Sequence, residues 1–133
     1  MLCAAFAYCL PSIAPAQSPF SAIITVNDAA VTGFELEQRI MLLTFFNTPG
    51  DVQQQARDGL IEDRLRSQQL ARAGLVLNEE GIGQALDEFA ARANMTGEQL
   101  VTVLSQNGID RTTLIDYVTI GVAWRDYIRS RFG

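Results

Sequence analysis

Between Asp51 and Phe132 apolar residues return every three or four positions, and each run is bracketed by residues that start or stop helices. The punctuation is Gly74, then Asn78, then Asn94-Met95-Thr96, then Asn107-Gly108-Ile109-Asp110. Upstream, Ala22-Ile23-Ile24-Thr25-Val26 is β-branched and strand-like, with turn residues at Asn27-Asp28 and a short return strand over Ala29-Ala30-Val31. Thr32-Gly33-Phe34-Glu35 is a capping box, with Thr32 as N-cap and Glu35 at N3. The helix it opens stops near Asn47, and only Thr44 interrupts its apolar run from Ile40 to Phe46. So wide a face must be covered on more than one side, or it leaves apolar area open.

Thr48-Pro49-Gly50-Asp51 is the next start signal, with Pro49 suited to the first helical position. The helix that follows directs Val52, Ala56, Leu60, Ile61, Leu65 and Leu70 to a core and leaves Arg57, Asp58, Glu62, Asp63, Arg64 and Arg66 on the wet face. Gly74 ends it, Leu75-Val76-Leu77 is a short apolar link, and Asn78 caps a third helix carrying Ile82, Ala85, Leu86, Phe89, Ala90 and Ala93. Asn94 suits the left-handed conformation, and Thr96 with Gln99 caps a short fourth helix bearing Leu100, Val103 and Leu104. Asp110 caps the last helix, in which Leu114, Tyr117, Val118, Gly121, Trp124, Tyr127 and Ile128 face inward or across. The fold class expected is all-α, about five helices, with a short N-terminal β-hairpin or strand.

The first sixteen residues differ in character. Met1 to Ala16 holds no charged side chain, and its short apolar run ends in Ala14-Pro15-Ala16, the pattern of a secretory signal peptide. The run is too short to cross a bilayer, which takes about 20 apolar residues. It lacks an early Lys or Arg, as if Met1 were an internal start. Residues 1–16 are read as a signal peptide, 17–21 as a linker and 22–133 as one helical domain. Both cysteines, Cys3 and Cys9, would leave with the leader, so the mature chain would hold no disulfide and no thiolate metal site.

Composition then narrows the chemistry. The chain of 133 residues carries 10 basic against 15 acidic side chains, a formal charge of -5, which disfavours binding to phosphate backbones. All the basic residues are Arg, and His is absent, so the commonest general base and metal ligand is missing. Ser and Thr occur without a His or Lys to activate them. Asp58, Glu62 and Asp63 form the best carboxylate cluster, yet with Arg beside them they read as a solvated helix face. No catalytic residue, metal site or cofactor is expected. Phe34, Met41, Phe45, Phe46, Tyr117 and Trp124 are the candidate peptide-binding residues: Met and aromatic side chains adapt to varied partners in an open groove. The competing reading makes them core.

The order of signals resembles the N-terminal domain of SurA-like periplasmic chaperones, which is joined in that family to parvulin-type peptidyl-prolyl isomerase modules. The resemblance rests on three stretches. The first is Ile24-Thr25-Val26-Asn27-Asp28 with Val31-Thr32 and Glu35-Leu36-Glu37-Gln38-Arg39. The second is Leu60-Ile61-Glu62-Asp63-Arg64-Leu65 with Gln68-Gln69, Ala73-Gly74-Leu75 and Asn78 to Ile82. The third is Asn94-Met95-Thr96, Gln99-Leu100, Asn107 to Asp110, and Trp124-Arg125. Two departures stand beside them: Thr113-Leu114-Ile115 where the family usually has a Tyr-Arg pair, and no isomerase-like stretch.

The resemblance implies a SurA N-terminal-like domain in the periplasm of a Gram-negative bacterium. It would hold unfolded outer-membrane polypeptides or other apolar peptides, with no nucleic acid partner and no membrane insertion after leader cleavage. The alternative is a structural or dimerisation module without client binding, pairing through the wide first helix. A homodimer, or a longer form with a further C-terminal segment, is compatible with either. Parvulin-type catalysis relies on a His-containing pocket, which this chain cannot supply. Purified protein should therefore leave the rate of prolyl cis–trans exchange in a test peptide unchanged, as followed by exchange NMR.

Overall fold

The computed structural model describes residues 18–133; the leader reading, Cys3 and Cys9 lie outside them. Strand β1 (Ala22–Val26) and strand β2 (Ala29–Thr32) form an antiparallel hairpin. Asn27 and Asp28 both take positive φ, 46° and 69°, the conformation a tight two-residue hairpin turn demands and Asn and Asp tolerate. The pairing runs Val26 with Ala29, Thr25 with Ala30 and Ile24 with Val31, and an irregularity follows before Ala22 meets Thr32. Val31 is fully buried, which seats the hairpin on the helices.

Five helices follow: α1 (Gly33–Phe45), α2 (Val52–Arg72), α3 (Glu79–Ala91), α4 (Gly97–Gln106) and α5 (Arg111–Phe132). Their starts obey local chemistry. The Glu35 amide donates to Thr32 Oγ1 at 3.1 Å while the Thr32 amide donates to the Glu35 carboxylate at 2.9 Å. Thr96 and Gln99 repeat the arrangement at α4, and Asn78 accepts the Gly81 amide at α3. Asn94 has φ 57°, the left-handed corner its sequence suggested.

Two expectations are corrected at the ends. Pro49 is not the first residue of α2; Asp51 is its N-cap, accepting the Gln54 amide at 3.0 Å. The cause is Gly50 at φ 91°, a turn that must be completed before a helix can begin. Asp110 occupies the N-cap of α5 but its side chain makes no capping bond. Its amide instead donates to Gln38 Oε1 at 2.8 Å, which docks the start of α5 on α1.

The core lies where α1, α3, α4 and α5 meet. Leu42 of α1 packs with Leu86 of α3, Leu100 and Leu104 of α4, and Ile109, Leu114 and Val118 around the start of α5. Each such side chain contributes about 1.5–3 kcal/mol by leaving water. At the α3–α4 corner there is no spare room: a Cβ on Gly97 would lie 2.8 Å from Leu86 Cβ. The Gly97 amide donates to Asp87 there at 2.7 Å. The wide apolar face of α1 is covered within the chain, since only Glu37 and Thr44 of that helix are exposed.

The buried stripe of α2 is Ala56, Leu60, Asp63 and Leu70, spaced by four, three and seven residues. Asp63 was expected on the wet face, and Leu65 in the core; the structure reverses both. Asp63 lies on the helical stripe itself, and Leu65, two residues on and about 200° round the helix, is 47% exposed. What makes burial of Asp63 tolerable is Arg39 of α1, whose Nη2 donates to its carboxylate at 2.6 Å. The two side chains are only 6% and 10% exposed. Removing one member of such a pair strands a buried charge. Asp63→Asn should cost about 3–5 kcal/mol in urea unfolding. Glu62→Gln, which breaks the exposed pair to Arg66, should cost less than about 1 kcal/mol.

Candidate functional site

The six residues singled out from the sequence are all half-buried, and they separate into distinct places. Phe45, Phe46 and Tyr117 come together with Phe89 of α3. Ring centroids are 5.8 Å apart for Phe45–Phe46, 5.5 Å for Phe46–Phe89 and 6.1 Å for Phe89–Tyr117. These mostly edge-on contacts join α1, α3 and α5, the geometry aromatic quadrupoles favour. Met41 packs against the core, with its methyl group close to Gly108. Phe34 pairs instead with Phe20 at 5.4 Å, and Trp124 lies against Tyr127 at 5.3 Å with the Arg66 guanidinium over its face.

Three concavities border these groups. The first is a cleft of about 400 Å³ whose walls come from α1, α2, α3 and α5. Phe89, Tyr117, Val118 and Val122 give it apolar walls, while Arg66, Arg92 and Arg125 stand around it. Arg39 crosses its floor, with its guanidinium carbon 5.0 Å from the Tyr117 ring centre. Gly59 leaves room for it: a Cβ there would come within 3.1 Å of Arg39 Nη1. Arg39 Nε is buried and finds no acceptor among the described residues.

The second is a small polar chamber of about 90 Å³ on the other side of Arg39, between α1, α2 and α5. Glu35, Asp63 and Asp116 meet Arg39 and Arg64 there. Arg64 pairs with Glu35 and also donates through Nε to the Ala30 carbonyl at 3.0 Å, so it ties the hairpin and α1 to α2. Loss of water around Glu35 opposes its charge, but the bonds from the Thr32 amide, Arg64 and the Thr32 hydroxyl outweigh it. Its carboxyl lies below the ordinary glutamate range. Asp116 moves the other way. Lost hydration is the main cause, with the Glu35 and Asp63 charges adding to it and Arg64 and Arg39 opposing. The residue as a whole stays exposed, so water tempers the shift.

The third is an apolar groove of about 260 Å³, bounded by the end of α2, the link 75–77, the start of α3 and the middle of α5. Leu70, Leu75, Leu77, Ile82, Ile115 and Ile120 line it. Val76 stands beside it at 79% exposure, with Leu75 also exposed. Sequence reasoning saw Leu75-Val76-Leu77 only as a link. The signal was there: three apolar residues between a helix-stopping Gly74 and a helix-starting Asn78 have no helix of their own in which to be buried.

Among the described residues no group of three or more Asp, Glu, Cys or His side chains could hold a metal ion. Asp58 accepts from Gln54, Glu62 pairs with Arg66 and Asp63 with Arg39, so the suspected carboxylate cluster is divided among separate partners. No described helix is long and apolar enough to cross a membrane.

Comparison with known proteins places a relative beside this geometry. Chaperone SurA of Alcanivorax borkumensis is 28% identical over 98 residues, a match covering 68% of this chain and 22% of that protein. The likeness supports a SurA-like relationship. The chain spans about a fifth of the length of the curated relative it matches. No family model matches the chain. No solved structure matches it.

The two shifted carboxyls predict opposite pH effects. Glu35, held low when folded, stabilises the fold above the ordinary glutamate pKa, and that contribution is lost as pH falls through its depressed folded value. Glu35→Gln should therefore lower the unfolding free energy at pH 7 and converge on the parent in strong acid. Asp116, held high, costs stability once pH exceeds its ordinary value. Asp116→Asn should raise the urea midpoint at pH 7 and lose that gain below pH of about 4.

Proposed function

We propose that this chain is a chaperone domain that holds non-native polypeptides by reversible burial of their apolar side chains, without ATP and without a covalent step. The observation that carries the reading is the exposed apolar ledge of Leu75 and Val76 beside the groove lined by Leu70, Ile82, Ile115 and Ile120. Exposed apolar area next to a concavity is what a binder of varied unfolded segments needs. The likeness to Chaperone SurA supports the same class of activity. Excess negative charge, -5 over the chain, would help such a protein stay dispersed while presenting apolar surface.

On this reading the clients are unfolded outer-membrane polypeptides, met in the periplasm after export by the apolar leader. Parvulin-type isomerisation is not part of the proposal, because the chain contains no His. The groove, more than the Phe45–Phe46 pair, is the place to look for outer-membrane client contact, since Leu75 and Val76 are exposed where Phe45 and Phe46 are half-buried.

The test is suppression of aggregation of a denatured outer-membrane barrel protein diluted from urea, followed by light scattering. Val76→Asp lies on the surface, so it should change folding stability by no more than about 0.5 kcal/mol. It should nevertheless reduce protection by half or more. Full protection by that variant, or none by the parent chain, would remove the groove or the holding activity respectively.

A further inference from the structure

The α2–α3–α5 cleft has features that neither the core nor the apolar groove requires. Four of the chain's ten basic residues, Arg39, Arg66, Arg92 and Arg125, line it, in a chain whose net charge is -5. Three carboxylates share the lining: Glu62, Asp63 and Glu88. Asp63 is committed to Arg39 and Glu62 to Arg66. Arg92 and Arg125 remain, faced by Glu88. Arg92 lies over the Phe89 ring at 5.4 Å and has no carboxylate within 4 Å among the described residues. Among the described residues the one carboxylate Arg125 reaches is its neighbour Asp126, through Nε at 3.5 Å. Two guanidiniums from different helices thus stand beside aromatic walls with hydrogen-bonding capacity to spare.

Gly121 is the second observation, independent of charge. It sits in the middle of α5, where glycine costs about 1 kcal/mol relative to alanine. No atom lies within 4 Å of where its Cβ would be, and the residue lines the cleft. Packing does not ask for glycine here. Gly121 is exposed, so its missing side chain leaves the α5 rim uncovered beside a cleft of about 400 Å³, a volume within the range of pockets that take small groups.

We propose that this cleft binds an aromatic side chain next to a carboxylate in the client polypeptide, the ring against Phe89 and Tyr117 and the carboxylate on Arg92 and Arg125. The inference rests on the reading that the bound partner is a polypeptide, and it names a preference that the apolar groove alone does not create. Asp or Glu beside Phe, Tyr or Trp supplies both parts. Attraction to the arginines over Glu88 makes the binding salt-sensitive.

The test uses the full chain and two blocked peptides, acetyl-Gly-Glu-Phe-Gly-amide and its Gln counterpart, titrated by NMR. The Glu peptide should bind about two- to fivefold more tightly than the Gln peptide, as an exposed charge pair would make it. Its shifts should fall on Phe89, Tyr117, Val122 and the Arg92 and Arg125 side chains. Gly121→Leu should unfold at the same or higher urea concentration and yet lose the Glu peptide. Arg92→Gln combined with Arg125→Gln should bring the two peptides to equal affinity. Equal affinities in the parent chain, shifts confined to Leu75–Leu77, or full binding by Gly121→Leu would each overturn the proposal. Val76→Asp should keep the peptide discrimination, so failure of aggregation suppression and failure of this site register separately.

Discussion

Arg39 and Asp63 meet almost wholly out of water where α1, α2 and α5 converge, and each loses several kcal/mol of hydration in doing so. That loss is offset only if the guanidinium and the carboxylate face one another, which sets the rotation of α1 against α2. The surroundings conform to the pair. Gly59 gives up its side chain where Arg39 lies, Leu65 is turned to water on the far side of α2, and Tyr117 of α5 puts its ring against the guanidinium. The arginine also separates two spaces of unlike character, a cleft with aromatic walls and a chamber of carboxylates. An uncharged pair would pack more cheaply, but it would place neither.

Around this joint the molecule divides into two sets of elements. The hairpin, α1 and α2 are laced by polar side chains: Arg64 to Glu35 and the Ala30 carbonyl, and Gln68 to the Val26 carbonyl at 3.0 Å. The α3–α4 pair is held by close apolar contact at Gly97 and Leu86. The link 75–77 passes between them, and α5 touches all four of the other helices. Both proposed binding regions lie on the seam between the two sets.

Much of this was legible in the residues. Thr32 with Glu35, Asn78, and Thr96 with Gln99 mark helix starts through bonds that span three residues, so sequence spacing alone reveals them. The five helices and the hairpin followed from the same local rules. Asp63 was misplaced because a charge is ordinarily assigned to water, whereas its partner Arg39 lies 24 residues away and is invisible to local reasoning. The spacing from Leu60 to Asp63 to Leu70 did carry the information. The aromatic residues were read as groove lining or as core, and which rings share a cluster depends on how α1, α3 and α5 cross. Phe89, counted only as a stripe residue, proved central to the cluster. The apolar link was read and passed over, since nothing in three residues tells whether a neighbouring helix will cover them.

The helix that touches the other four is also the last of the five to be made. Until α5 has left the ribosome, Leu42, Leu86 and Leu104 have nothing to close over them, since Leu114 and Val118 supply the remaining wall. A nascent chain would form its early helices and hairpin from local bonds, but its core could close only once α5 had joined them, so folding of the whole waits on its most distant contacts.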